Sequence, residues 1–189
     1  MRAIERFDQT NAADPRTTLI GDREAPTELA YARRMTRVLD RFEPGASDAL
    51  RLAVRAQHIA RWNIPRSDFP LGRAGYRSWR TRLMDYHAEL AGRILQEVGY
   101  REVMVERVGQ LLRKRGLKRD PEAQTLEDVA CLVFLEHHLE EFTAEHDDDK
   151  VVDILRKTWA KMSARGRSAA LELELGPRGS AILGRALAG

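Results

Sequence analysis

The chain has 189 residues, a formal net charge of +3 and a single cysteine, Cys131. That length allows one domain with a real core, while a lone cysteine in an apolar run excludes a disulfide framework and points to a buried thiol in a reducing compartment. No apolar run approaches the roughly 18 residues of a membrane span, and the N-terminus lacks a signal-peptide pattern, so a cytoplasmic protein with no membrane partner is expected.

Charged residues make up 32% and aromatics 6% of the chain. With Leu, Ala, Arg and Glu prominent, the expected class is all-α, one domain over 1–189 with about six to eight helices. The charge is unevenly spread. Residues 51–82 carry eight arginines against one acid, Asp68, whereas residues 120–149 carry eleven acids and no Lys or Arg. Two solvated faces that attract each other would explain this. So would a basic rim that meets a phosphate-bearing ligand beside a carboxylate-lined site.

In chain order, residues 1–24 read as a polar, turn-rich arm, in which Asp8, Asn11 and Asp14 are able to cap or bind. The first helix is predicted from Pro26-Thr27 to about Phe42, with Tyr31, Met35, Val38 and Phe42 as its stripe. Ser47 caps a second helix that is apolar on most sides and central, carries His58 and ends at Asn63-Ile-Pro65. A loop over 65–75 leads to a third helix from about Gly75 to Glu97, with His87 on its core stripe. A fourth spans about Glu102 to Lys114. Asp120-Pro121 opens a fifth, whose stretch Leu126–Leu135 is apolar nearly all round. A sixth runs from about Lys150 to Ser163. The tail over 167–189 holds two short helices separated by Gly176-Pro177. No strand pattern or internal repeat is evident.

Three polar residues, His58, His87 and Asp128, fall on apolar faces of three predicted helices. A buried carboxylate is costly unless paired or bound to a cation. Two imidazoles and a carboxylate are a ligand set for a divalent metal, with Mn, Fe, Zn, Ni and Mg not distinguished, and a metal-bound water is a nucleophile near neutral pH. Glu127 is then a candidate base beside Asp128. The plainer alternatives are satisfied core histidines and a capping box, Thr125-Leu-Glu-Asp128. The rim offers Arg61, Arg66, Arg73 and Arg80 for phosphate, with Trp62, Tyr76 and Trp79 able to stack a base; pairing of these arginines within the chain is the alternative. Phosphate-binding loops, dinucleotide fingerprints, C-x-x-C, H-E-x-x-H and G-x-S-x-G are all absent.

Glu28-Leu-Ala-Tyr-Ala-Arg-Arg-Met35, Arg55-Ala-Gln-His-Ile-Ala-Arg-Trp-Asn-Ile-Pro-Arg66, Arg73-Ala-Gly-Tyr-Arg-Ser-Trp-Arg80, Leu126–Leu135 and Lys157-Thr-Trp-Ala-Lys-Met-Ser163 resemble the domain of unknown function family 4202, over about residues 5–175. More distantly, the helix segments around His58, Tyr86–Tyr100 and Leu126–Asp128 resemble those of HD-domain metal phosphohydrolases, with Gln57-His58 where that superfamily has its His-Asp pair. This second resemblance implies an HD-like helical scaffold and metal-dependent hydrolysis of a phosphate-bearing small molecule or nucleotide. The competing expectation is a non-catalytic module that binds a nucleotide, an RNA end or an acidic partner through the arginines. An interaction protein and a metal oxygenase on the same scaffold are further alternatives. Oligomeric state is not legible.

Overall fold

The computed structural model describes residues 2–188, and the described chain is mostly helical, as its composition requires. Ten α-helices, two short 3₁₀ turns and one two-stranded hairpin are present among the described residues. They divide into two compact units, one ending at Ala123 and the other beginning at Gln124.

The first unit opens differently from the expected arm. Residues Arg2–Asn11 form a helix (α1) that buries Ala3, Phe7 and Asn11. A hairpin follows, with β1 (Thr17–Ile20) antiparallel to β2 (Arg23–Pro26) and Thr17 opposite Pro26. Its turn is the Gly21-Asp22 pair, and Gly21 takes φ +58°, a left-handed value suited to a two-residue hairpin loop. Strands this short, with Leu19 and Ile20 exposed, have no buried alternation for a sequence to display.

The next helices sit close to their predicted places. Thr27–Phe42 is α2, and Leu29, Met35, Val38, Leu39 and Phe42 enter the core. Asp48–Ala56 is α3, whose Ser47 hydroxyl accepts a hydrogen bond from the Leu50 amide at 3.2 Å. Every residue of α3 from Leu52 to Ala56 is buried, and α3 packs against α1, α2 and α5 (Glu102–Leu112), so it is the central helix of the unit. Arg55 on α3 grips Asp8 of α1 with both carboxylate oxygens, at 2.8 and 2.7 Å, and also donates to Thr36 of α2.

The second predicted helix was expected to continue to Asn63, but α3 stops at Ala56. The cause is a single peptide group. The Ala60 amide donates to Oδ1 of buried Asn11 at 3.0 Å, and the Ile59 carbonyl accepts from Nδ1 of buried His87 at 2.9 Å. Both polar ends of the Ile59–Ala60 peptide are therefore held by side chains, one from α1 and one from α4. Ala60 adopts φ 48°, a left-handed conformation that interrupts the helix, and 3₁₀ turns follow at Arg61–Asn63 and Arg66–Asp68.

Helix α4 spans Gly72–Glu97 and begins just ahead of its predicted start. The loop before it lies so close that a Cβ on Gly75 would stand 1.9 Å from the Pro70 carbonyl oxygen. Arg66 ties the same loop by donating to the Phe69 and Pro70 carbonyls, each at 2.8 Å. Helix α6 spans Pro121–His137. Asp120 caps it as expected, accepting from the Glu122 and Ala123 amides, and Arg107 holds both Asp120 and Glu122.

The second unit contains the rest of α6, α7 (Leu139–Glu145), α8 (Asp148–Lys161), α9 (Ala164–Leu171) and α10 (Pro177–Leu187). Helices α8 and α10 pack together, and α7 touches both. The Gly176-Pro177 break falls where the sequence placed it. Arg178 and Arg185 of α10 pair with Asp148 and Asp149, which uses part of the acidic segment within its own unit. No described helix is long and apolar enough to cross a membrane.

The peptide clamp gives opposite expectations for two neighbouring substitutions. Ala60→Gly relieves the left-handed strain and should leave stability unchanged or raise it by up to about 1 kcal/mol. Asn11→Ala strands a buried amide and should cost about 1–3 kcal/mol. Chemical denaturation of the two variants checks both signs.

Candidate functional site

The helix interruption places three polar side chains of the first unit near one another. His58 precedes the clamped peptide, Arg61 follows it, and His87 is one of the clamps. The ring centroids of His58 and His87 lie 6.0 Å apart. His58 was expected inside the packed region. It is instead half-buried, stacked on Tyr31 with centroids 4.1 Å apart and planes 10° from parallel.

A carboxylate absent from the sequence-based candidates completes the cluster. Glu28, in the first turn of α2, is 4% exposed. Its Oε2 lies 3.3 Å from Nδ1 of His58, while Oε1 accepts from Nη2 of Arg16 at 2.8 Å. Asp14 organises this corner. It accepts from the Arg16 backbone amide and guanidinium and from the Glu28 amide, each at 3.0 Å. Burial raises the pKa of Glu28, and Arg16 and Arg61 oppose that rise without cancelling it. Burial also pushes Asp14 up, but its hydrogen bonds from Arg16 and from the Glu28 amide outweigh this, and its pKa is lowered.

On the far side of His58, Nη1 of Arg61 lies 3.3 Å from Nε2. The Arg61 guanidinium also covers the Trp79 ring, 4.7 Å from its centroid, and the Trp79 indole donates to the Ile64 carbonyl. Burial lowers the pKa of Arg61, Glu28 counters it, and Arg80 adds to the lowering. The chain of contacts therefore runs Arg16, Glu28, His58, Arg61 and Trp79.

His87 behaves differently. Burial, then the neighbouring His58, lowers its pKa to about 3, so the ring is neutral at ordinary pH. The Ile59 carbonyl only accepts, so Nδ1 carries the proton and Nε2 holds a bare lone pair. Nε2 is buried and has no hydrogen-bond partner.

The remaining candidates divide. Trp62 is half-buried; Arg73 and Tyr76 are exposed on α4, and Arg80 is half-buried. The Tyr76 ring lies 5.7 Å from that of Trp79. Arg66 was expected at phosphate, but its guanidinium nitrogens close its own loop. Asp128 belongs to the second unit, and its carboxylate is already engaged. Oδ1 accepts from the Ser163 amide at 2.8 Å and from Gln124 at 3.1 Å, and Oδ2 accepts from the Ser163 hydroxyl. A Cβ on Gly166 would lie 2.6 Å from this carboxylate, so Asp128 fits tightly against the first turn of α9. Glu127 is buried with Lys161 Nζ 4.0 Å away.

These facts bear on a bound metal. Among the described residues, no group of three or more His, Cys, Asp or Glu is placed to hold one. In the first unit, Arg16 occupies one oxygen of Glu28 and Arg61 stands at Nε2 of His58. A donor set already facing two guanidinium groups does not fit a divalent cation. It suits an imidazole oriented by a carboxylate beside an anion-binding arginine.

The whole of this cluster lies inside a matched family region: the model for a domain of unknown function, DUF4202, matches residues 1–183. The chain belongs to the DUF4202 family. No curated protein and no solved structure matches it, so the HD-domain likeness remains an expectation from sequence. In this DUF4202 chain the overlooked carboxylate did leave a trace. Glu28 lies three residues before Tyr31 and seven before Met35, on the same stripe that enters the core.

The two shifted groups predict opposite pH behaviour. His87 is held neutral in the fold. Its contribution is full above its ordinary value of 6.5 and is lost as the pH falls toward about 3, at up to about 1.4 kcal/mol per pH unit. Glu28, with its pKa raised, favours the fold when protonated and works against it once ionised. Thermal melts across this range should show the acid-side slope flattened in His87→Gln. Glu28→Gln should melt higher than wild type at pH 7.

Proposed function

We propose that the first unit binds a phosphate-bearing small molecule or nucleotide and hydrolyses its ester, with the Glu28–His58 pair activating water. The observation that carries this reading is a buried carboxylate at Nδ1 of His58 with a guanidinium at Nε2. Glu28 holds Nδ1–H and stabilises the imidazolium that forms, which leaves Nε2 to take a proton. Arg61, supported from below by Trp79, engages the phosphate and places it beside that nitrogen. As Nε2 removes a proton from water, the water oxygen bonds to phosphorus. The ester P–O bond breaks, and the departing oxygen receives the proton back from His58. Arg80 adds positive charge where charge accumulates on the phosphoryl oxygens. The activation is assigned to the carboxylate–imidazole pair in place of the expected metal ligands His58, His87 and Asp128.

Glu28→Gln and His58→Asn should each lower kcat by about 10²–10⁴-fold on a responsive phosphate ester, with little change in KM and no sensitivity to chelators. Glu28→Gln with unchanged kcat would contradict the assignment.

A second reading rests on Arg73 and Arg77, exposed one turn apart on α4 with the half-exposed Tyr76 between them. Such a face suits a nucleotide, an RNA end or another acidic partner bound without turnover. It predicts nucleotide binding that survives His58→Asn, weakens steeply with salt and falls in Arg73→Ala/Arg77→Ala, as titration calorimetry would show.

A further inference from the structure

We infer that Nε2 of His87 accepts a hydrogen bond from a hydroxyl of the substrate, which makes the preferred ligand a hydroxyl-bearing phosphate ester, such as a sugar or polyol phosphate, over a plain alkyl phosphate. This rests on the hydrolase reading above and deepens it.

Three observations converge. His87 is 3% exposed, and the Ile59 carbonyl fixes which nitrogen carries its proton. Nε2 is therefore a bare acceptor with a set orientation, and it is buried without a partner. Burying an unsatisfied acceptor is unfavourable unless something supplies the missing donor. The ring also belongs to the proposed site. His58 lies 6.0 Å away, Arg61 is only one residue beyond the clamped peptide, and the charges acting on His87 are those of His58, Arg61 and Glu28.

The choice of donor follows from the acceptor. A neutral imidazole nitrogen offers a lone pair and no proton, so it cannot bind the phosphate oxygens, which also only accept. The phosphate goes to Arg61, and the neighbouring part of the ligand must carry an O–H. A site built to accept from a hydroxyl discriminates strongly against an analogue lacking it, because the buried acceptor is then left unpaired.

The test compares two esters with the same three-carbon chain, glycerol 1-phosphate and n-propyl phosphate, on the intact protein. The wild type should favour glycerol 1-phosphate by ~10–100-fold in kcat/KM. His87→Phe should bring that ratio close to one, by losing activity on the hydroxylated ester alone. Should His87→Phe not fold, the ¹⁵N resonance of Nε2 in the wild type supplies the readout. It should move on adding glycerol 1-phosphate and stay in place with n-propyl phosphate. Equal turnover of both esters by the wild type, or an Nε2 resonance that ignores the hydroxylated one, overturns the inference and leaves the hydrolase reading standing. Neither ester being bound or turned over would overturn both.

Discussion

The polar architecture of the first unit depends on the peptide between Ile59 and Ala60. A helix that continued through it would have satisfied both of its polar groups internally, in the ordinary way. Asn11 and His87 satisfy them from outside instead. Two side-chain hydrogen bonds thus replace helical ones, and Ala60 is free to take a left-handed conformation that alanine ordinarily avoids. Because the backbone turns there, His58 and Arg61 leave the regular helical path and meet α2 and α4. Strain of this kind persists where the surroundings over-determine it, and such places are often functional sites.

Charge is handled just as specifically in the same unit. Glu28 is nearly inaccessible and tends toward its neutral form, yet it faces one guanidinium directly and one imidazole. Asp14 is what makes this tolerable, since it fixes Arg16 with several bonds and takes up the Glu28 amide as well. The arrangement costs more than an apolar residue at position 28 would. A carboxylate kept in such a position is better explained by what it does to His58 than by what it adds to stability.

Much of the scaffold was legible because it obeys periodicity and capping. The α2 stripe, the Ser47 and Asp120 caps, the Gly176-Pro177 break and the burial of His87 are local consequences of residue type. The hairpin was missed because its strands are four residues long and mostly exposed. The end of α3 was missed because nothing between residues 56 and 60 breaks a helix by itself; its partners lie about fifty residues before and about thirty after. The site was half legible. His58, His87, Arg61 and Trp79 do come together, whereas Asp128 serves the Ser163 cap in the second unit and Arg66 closes its own loop. Glu28 stood on the α2 stripe in plain view, but the acidic stretch at 120–149 was the more conspicuous source of a carboxylate.

The clamp can be observed without any ligand, through the exchange of one amide. Ala60 lies in a turn, where an amide would ordinarily exchange with solvent at the rate of an open loop. Held by the buried Asn11 carboxamide, it should instead be protected about as strongly as the core amides of α3 in NMR-detected hydrogen exchange on the wild-type protein. Exchange of the Ala60 amide at a loop-like rate would contradict the account, since His58, Arg61 and His87 would then have nothing fixing their places.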